Sequence, residues 1–293
     1  MSGTMPRLQE VAPGSPAELE ARLRGMWDAV APSWAEHAAY ADARGAEVGE
    51  LMLAATGPRA GETVLELACG TGGLGLAAAE RVAPGGAAVL SDFAPEMVAA
   101  AAVRAEALGL DNVVARTLDL DHIDEPDESC DVVLCREGLM FAVDPAGAAR
   151  EIVRVLRPGG RFAVAVWGPP ADNPWLTIVF EAVAAVTGRV VPPPGVPTPF
   201  SLSEADRLVE LFTGVARDLV LTEVPVPARA GSFDDWWTRT SALAGPLATI
   251  LQSLRAEARD AIREHARERA REYETAEGLE FPGLALVLSG RRR

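Results

Sequence analysis

The 293-residue chain contains no lysine, so its basic complement is 27 arginines with three histidines beside them. That absence excludes Schiff-base chemistry on lysine and a lysine general base. Cysteine is scarce too. Cys69, Cys130 and Cys135 are an odd number, form no CxxC pair and lie in or beside apolar strand-like runs, which reads as buried free thiols. His37, His122 and His265 stand far apart without HxxxH-like spacing, so no metal site is expected. No apolar run approaches the roughly 20 residues that span a bilayer, and residues 1–20 lack the basic-then-apolar order of a signal peptide. The cytoplasm is the expected location.

Positive charge is in deficit as well. The formal net charge of -15 repels phosphate backbones and anionic lipid, so nucleic acid is not expected as a substrate. What is present is apolar bulk: 49% hydrophobic residues against 24% charged suffice for one large core, or a core carrying a lid.

Residues 1–14 read as a loose tail, and Ser15-Pro16 as the cap and first turn of a helix running to about Ala29. Pro32 should interrupt it before a second helix from about Ser33 to Ala55. From Gly61 short apolar strands alternate with helical segments: Thr63–Leu67, Ala87–Ser91, Asn112–Arg116, Cys130–Cys135 and Arg161–Trp167. Such alternation predicts a mostly parallel sheet with helices on both faces. Further on come a strand at Arg217–Val224, a helix holding Trp236-Trp237, a long helix from about Pro246 to Tyr273 and a final strand Gly283–Ser289. On the long helix Arg259, Arg263, Arg267 and Arg271 face a row of acids at the same spacing, the pattern of a solvated face.

The run Glu66-Leu67-Ala68-Cys69-Gly70-Thr71-Gly72-Gly73-Leu74-Gly75 joins a strand to a helix with little side-chain bulk. Glycine lets a ligand approach the backbone, and the helix start offers unpaired N–H groups. Gly70, Gly72 and Gly75 match the dinucleotide spacing, with Asp92 at the end of the next strand placed to accept ribose hydroxyls. This much indicates adenosine, from NAD or from S-adenosylmethionine. Glu66 favours the second, because a carboxylate inside the first strand is costly to bury without a cation and the amino group of a methionine moiety supplies one.

Five ordered blocks carry a resemblance: Glu66 to Gly72; Asp92-Phe93-Ala94-Pro95-Glu96-Met97; Asp119-Leu120; Asp131 to Cys135; and Arg154 to Gly160. Together they resemble the class I S-adenosylmethionine-dependent methyltransferases, in the small-molecule branch related to ubiquinone/menaquinone C-methyltransferases. The resemblance implies an α/β, Rossmann-like seven-stranded sheet, mostly parallel with an antiparallel last strand, plus N-terminal helices and a helical lid. It implies one catalytic domain, with a tail and helical cap over residues 1–57, a cofactor-binding core over 58–168, and the remaining strands over 169–293 with a lid at about 228–278. Ala68, Cys69, Gly70, Thr71 and Gly72 would cradle the methionine part, Asp92 the ribose, Phe93 and Met97 the adenine faces, and Asp119 the adenine amino group with Leu120 beside it. Cys135 is counted among the cofactor residues by the same resemblance. Ala68 departs from the family's glycine, which is tolerable where φ is negative.

Methyl transfer needs alignment, and a base where the nucleophile must lose a proton. Arg136, Glu137, Gly138 and Met140 follow the fourth strand and should edge the transferred methyl, with Arg136 and Met140 on the substrate. Glu137 is the first candidate base; His37 and Tyr40 on the N-terminal helices are rivals, and Trp34 is a candidate wall for cofactor or substrate. Of Trp236 and Trp237, adjacent on one helix, one should line the pocket and the other pack outward or at a partner, as in a homodimer. The acceptor is expected to be small and largely apolar, methylated on oxygen or carbon. The competing readings are an NAD(P)-dependent oxidoreductase, and a methyltransferase fold that keeps its cofactor structurally or catalyses a rearrangement.

Overall fold

The computed structural model describes residues 16–189, 191 and 196–293. Two helices, α1 (Pro16–Glu36) and α2 (Ala38–Thr56), lead into the alternation β1 (Thr63–Glu66), α3 (Gly73–Val82), β2 (Ala87–Asp92), α4 (Pro95–Ala107), β3 (Val113–Thr117), β4 (Cys130–Arg136), α5 (Pro145–Val155) and β5 (Leu156–Trp167). Then follow α6 (Pro174–Thr187), α7 (Ala205–Phe212), β6 (Ala216–Pro225), β7 (Ala228–Ala230), α8 (Phe233–Leu243), α9 (Gly245–Ser253), α10 (Ala256–Ala270), β8 (Glu274–Thr275), β9 (Gly278–Phe281) and β10 (Leu284–Arg292).

Seven strands form one sheet in the order β3-β2-β1-β4-β5-β10-β6. β1 pairs in parallel with both β2 and β4, and β10 runs antiparallel between β5 and β6. This is the expected Rossmann-like α/β fold with an antiparallel last strand. The chain lays β1, β2 and β3 outward in one direction and then returns to place β4 on the other side of β1. Ligands in such sheets bind beyond the carboxyl ends of the strands at that reversal.

The core follows from which faces are covered. Phe162 to Val166 on β5 are all fully buried, a continuous apolar run of the kind a strand shows when helices cover both faces. Phe162 stacks on Phe212 of α7 with ring centroids 4.5 Å apart, a side-chain burial worth about 2–3 kcal/mol. On α5 the buried Ala148, Ala149, Ile152 and Val153 make one stripe at helical spacing.

Three expectations from the sequence are corrected. Pro32 lies inside α1, and the break falls at His37. A proline removes one backbone bond, but Val30, Ala31 and Trp34 on either side of it pack in one cluster with Met97 and Ala248, and that packing holds the helix through the proline. The long helix is two: Leu254 between α9 and α10 is extended, with ψ of 154°. Arg263 and Arg267 of α10 both reach Asp234 of α8, at 2.8 and 2.9 Å, and the Arg267 guanidinium lies 4.1 Å from the Phe233 ring. The arginine row therefore ties two helices together instead of only lining a solvated face. The segment expected as a helical lid also carries a small antiparallel sheet in the order β7-β9-β8. Ser15, read as the first helix cap, lies outside the described residues.

Candidate active site

Beyond the carboxyl ends of β1, β2, β3, β4 and β5 lies one cavity of about 1620 Å³ counted out to its open mouth. Loops after the strands form its floor. α1, α2, α6, α8 and the start of α9 form walls and roof, and Trp34 on α1 ties that roof together by donating its indole N–H to Leu243 O, 3.0 Å away.

On the β1–β3 side the cavity is acidic. Glu66, Asp92, Asp119 and Asp121 all line it. Glu66, 2% exposed, accepts the Gly75 N–H at 2.9 Å, so the strand carboxylate serves one of the unpaired amides at the start of α3. A side chain at Gly75 would collide with that carboxylate and with Leu90 on β2. Burial raises the Glu66 carboxyl to about 8, against the pull of Arg136 and the Gly75 bond. Asp92 accepts Gly70 N–H on Oδ2 at 2.9 Å and Ala94 N–H on Oδ1 at 3.0 Å, and burial raises it to about 6. Asp121 is also raised by burial, partly offset by the Val143 and Asp144 amides.

Ala68, Cys69, Gly70, Phe93, Met97, Leu120 and Trp34 line the same cavity. Ala68 stands at φ 50°, the left-handed region, so the methyl carries the backbone strain that the family's glycine avoids. Cys69 is buried and its thiol is pushed up by burial.

Several sequence assignments do not reach the cavity. Thr71 is clamped from behind, its carbonyl and hydroxyl accepting from Arg104 at 2.8 and 3.1 Å while Arg104 also pairs with Asp42 of α2. Gly72 turns the chain into α3 at φ 83°. Cys135 is fully buried in the main core, its thiol pushed up to about 12 by burial. His37 sits at the joint between α1 and α2 and is not a cavity residue, whereas Tyr40, three positions on along α2, is. Neither Trp236 nor Trp237 lines the cavity either. Trp236 donates to Trp175 O at 3.1 Å and packs on Phe281, and Trp237 stacks on Phe233. The two indoles pack within the lid and against α6.

On the β4–β5 side the wall is aromatic and basic. Arg136, Glu137, Gly138 and Met140 line it as expected, joined by Tyr40, Arg44, Phe141, Trp167, Trp175, Phe180 and Arg239. Arg136 donates to Gly45 O at 3.2 Å, and a side chain at Gly45 would overlap its guanidinium. The missing Cβ on α2 thus leaves room for Arg136, whose charge offsets the burial of Glu66. Glu137 holds φ 59° and donates its N–H to Ala165 O at 2.7 Å. The sequence reading missed Arg44, Arg239 and Trp175. The only signal for Arg44 is its position four residues after Tyr40, on the same face of α2.

A seven-stranded Rossmann-like sheet with acids at the ends of its first strands gives the chain an α/β fold of methyltransferase topology. Residues 58–174 match the family described as a methyltransferase domain. Through that stretch the chain carries a methyltransferase domain and is similar to the quinone methyltransferases. It is 42% identical over 138 residues to the demethylmenaquinone methyltransferase of Thermus thermophilus, covering 45% of this chain and 61% of that enzyme. It is 35% identical over 150 residues to an uncharacterised Mycobacterium tuberculosis protein, covering 51% of each. The chain thus spans about half to three fifths of the length of these curated relatives. The Bacillus subtilis YcgJ structure shares the fold at TM-score 0.57 and 22% identity, covering 84% of this chain and 97% of that one.

Proposed function

We propose that the protein transfers the methyl group of S-adenosylmethionine to an oxygen or carbon of a small, largely apolar acceptor. The observation that carries this reading is the meeting of Glu66, Asp92 and Asp119 with the backbone of Ala68 to Gly70 on one wall of a cavity whose opposite wall is aromatic and basic. The donor set fits the cofactor. Glu66 has no ion-pair partner among the described residues and suits an ammonium group; Asp92 keeps lone pairs for a ribose diol; Asp119 suits an exocyclic amine, between Phe93, Met97 and Leu120 as apolar walls.

When bound, the cofactor supplies a sulfonium methyl, and transfer breaks the carbon–sulfur bond, leaves its electron pair on sulfur and bonds the methyl to the acceptor. The chain's own work is alignment and dehydration. Met140 and Trp34 exclude water, and Glu137 on the β4 side takes the proton of an acceptor hydroxyl or acidic C–H. The protein acts as a single catalytic unit of cap, core and lid in the cytoplasm.

Calorimetric titration tests the cofactor assignment. S-adenosylhomocysteine should bind and NADH should not. Asp92→Ala should weaken S-adenosylhomocysteine binding about tenfold or more, as expected for losing charge-assisted hydrogen bonds worth about 1.5–3 kcal/mol. NADH binding with no response to S-adenosylhomocysteine would refute the reading.

A further inference from the structure

The cavity is divided along the sheet. Of its carboxylates, Glu66, Asp92, Asp119 and Asp121 sit at or beyond the ends of β1, β2 and β3 and Glu137 follows β4, whereas Arg44, Arg239 and Tyr40 line the side next to Trp167 at the end of β5. The Tyr40 ring is shared by the two cations, its centroid 4.1 Å from the Arg239 guanidinium carbon and 6.0 Å from that of Arg44.

Arg44 is held by ring faces alone. Its guanidinium carbon lies 4.9 Å from the Trp167 ring and 4.3 Å from the Trp175 ring. Among the described residues it has no carboxylate within ion-pair distance and no hydrogen bond, in a chain where acids outnumber arginines 42 to 27. Stacking on indole positions a guanidinium while leaving all its N–H donors free. Arg239 is paired with Asp235 at 2.8 Å and donates to Arg229 O at 3.0 Å, yet its Nε is buried without a hydrogen-bond partner. A buried donor without a partner is a standing cost that a ligand acceptor removes. Charge of this sign, beside aromatic walls and opposite the acidic half, matches an anion attached to an apolar body.

We propose that the acceptor is a carboxylate-bearing aromatic or apolar molecule, its carboxylate held by Arg44 and Arg239 and its body packed among Trp167, Trp175 and Phe180. This rests on the methyltransferase reading for the word acceptor, but the anion site stands on its own geometry. Arg136 also lines the cavity, but it donates to Gly45 O on α2 and makes no contact with the indoles of Trp167 and Trp175 among the described residues.

The test uses matched probes, 6-hydroxy-2-naphthoate and its neutral amide, titrated calorimetrically into the full chain with and without saturating S-adenosylhomocysteine. The carboxylate is expected to bind at least tenfold more tightly than the amide. Arg44→Met, which keeps the stem against the indoles, should remove most of that preference while changing amide affinity less than threefold; Arg239→Met should reduce it further. Retained amide binding shows that each variant is folded. Equal affinity for the two probes in the wild-type protein, no binding of either, or a preference that survives both substitutions would overturn the proposal. Failure of S-adenosylhomocysteine to bind, with the Arg44-dependent preference intact, would instead remove the methyltransferase reading and leave the anion site.

Discussion

At Glu137, backbone and side chain make separate statements. A non-glycine residue at φ 59° is held against a cost of about 1–3 kcal/mol, and the bond from its N–H to Ala165 O supplies part of the restraint. Strain of this kind collects where a side chain must be aimed, and here it falls on an acid at the cavity wall. Glu137→Gln should lower kcat about a hundredfold or more, the ordinary contribution of a general base, with S-adenosylhomocysteine affinity within about twofold of wild type. Unchanged turnover in a methyl-transfer assay would remove Glu137 from the chemistry. Glu66 and Asp92 were legible in the sequence because each is tied to the glycine loop by position, one ahead of it and one at the next strand end. Arg44 and Arg239 were not, because nothing along the chain links two arginines on distant helices.

At the scale of elements, the rear of the cavity depends on one fully buried side chain, Asn173 at the entry to α6. Its amide donates to Gly168 O, Pro169 O and Leu284 O at 3.1–3.2 Å, and its carbonyl accepts from Trp175 Nε1 and Leu284 N at 3.1 Å. One residue thereby fixes the end of β5, the start of α6 and the start of β10, and orients the indole on which Arg44 stacks. Asn173→Ala should cost about 2–4 kcal/mol in urea unfolding, since several buried groups lose partners together. A loss under about 0.5 kcal/mol would show that the junction is held by packing alone. Elements with strong periodicity, β1 to β5 and α3 to α5, were readable. The division of α9 from α10 was not, because no glycine or proline marks it and the two halves pack on different neighbours, α9 on α1 and α8 and α10 chiefly on α6.

For the whole molecule, the acidic half of the cavity imposes a pH dependence. The Glu66 carboxyl is raised from 4.5 to about 8 and Asp92 from 3.8 to about 6. The ligand-free folded state therefore holds more protons than the unfolded chain over these intervals. Stability is fully present below the unfolded values and falls as pH rises, for Asp92 up to about 6 and for Glu66 up to about 8. The ligand-free melting temperature should drop between pH 6 and pH 8, and the drop should be smaller in Glu66→Gln, which has no proton to lose. Identical pH profiles for the two proteins would mean that Glu66 is already ionised at pH 6. No described helix is long and apolar enough to cross a membrane.

The sequence by itself determined the parallel sheet, the glycine loop and the acids beside it, because period-two and helical patterns and short-range spacing are local properties of a chain. Tertiary structure alone decided that Arg44 would lie against both Trp167 and Trp175 in the same cavity as Arg239, that Cys135, Trp236 and Trp237 would stay out of it, and that Ala68 would carry a positive φ. Those outcomes depend on how α2, α6 and α8 converge over the strand ends, and long-range packing leaves no local mark in the order of residues.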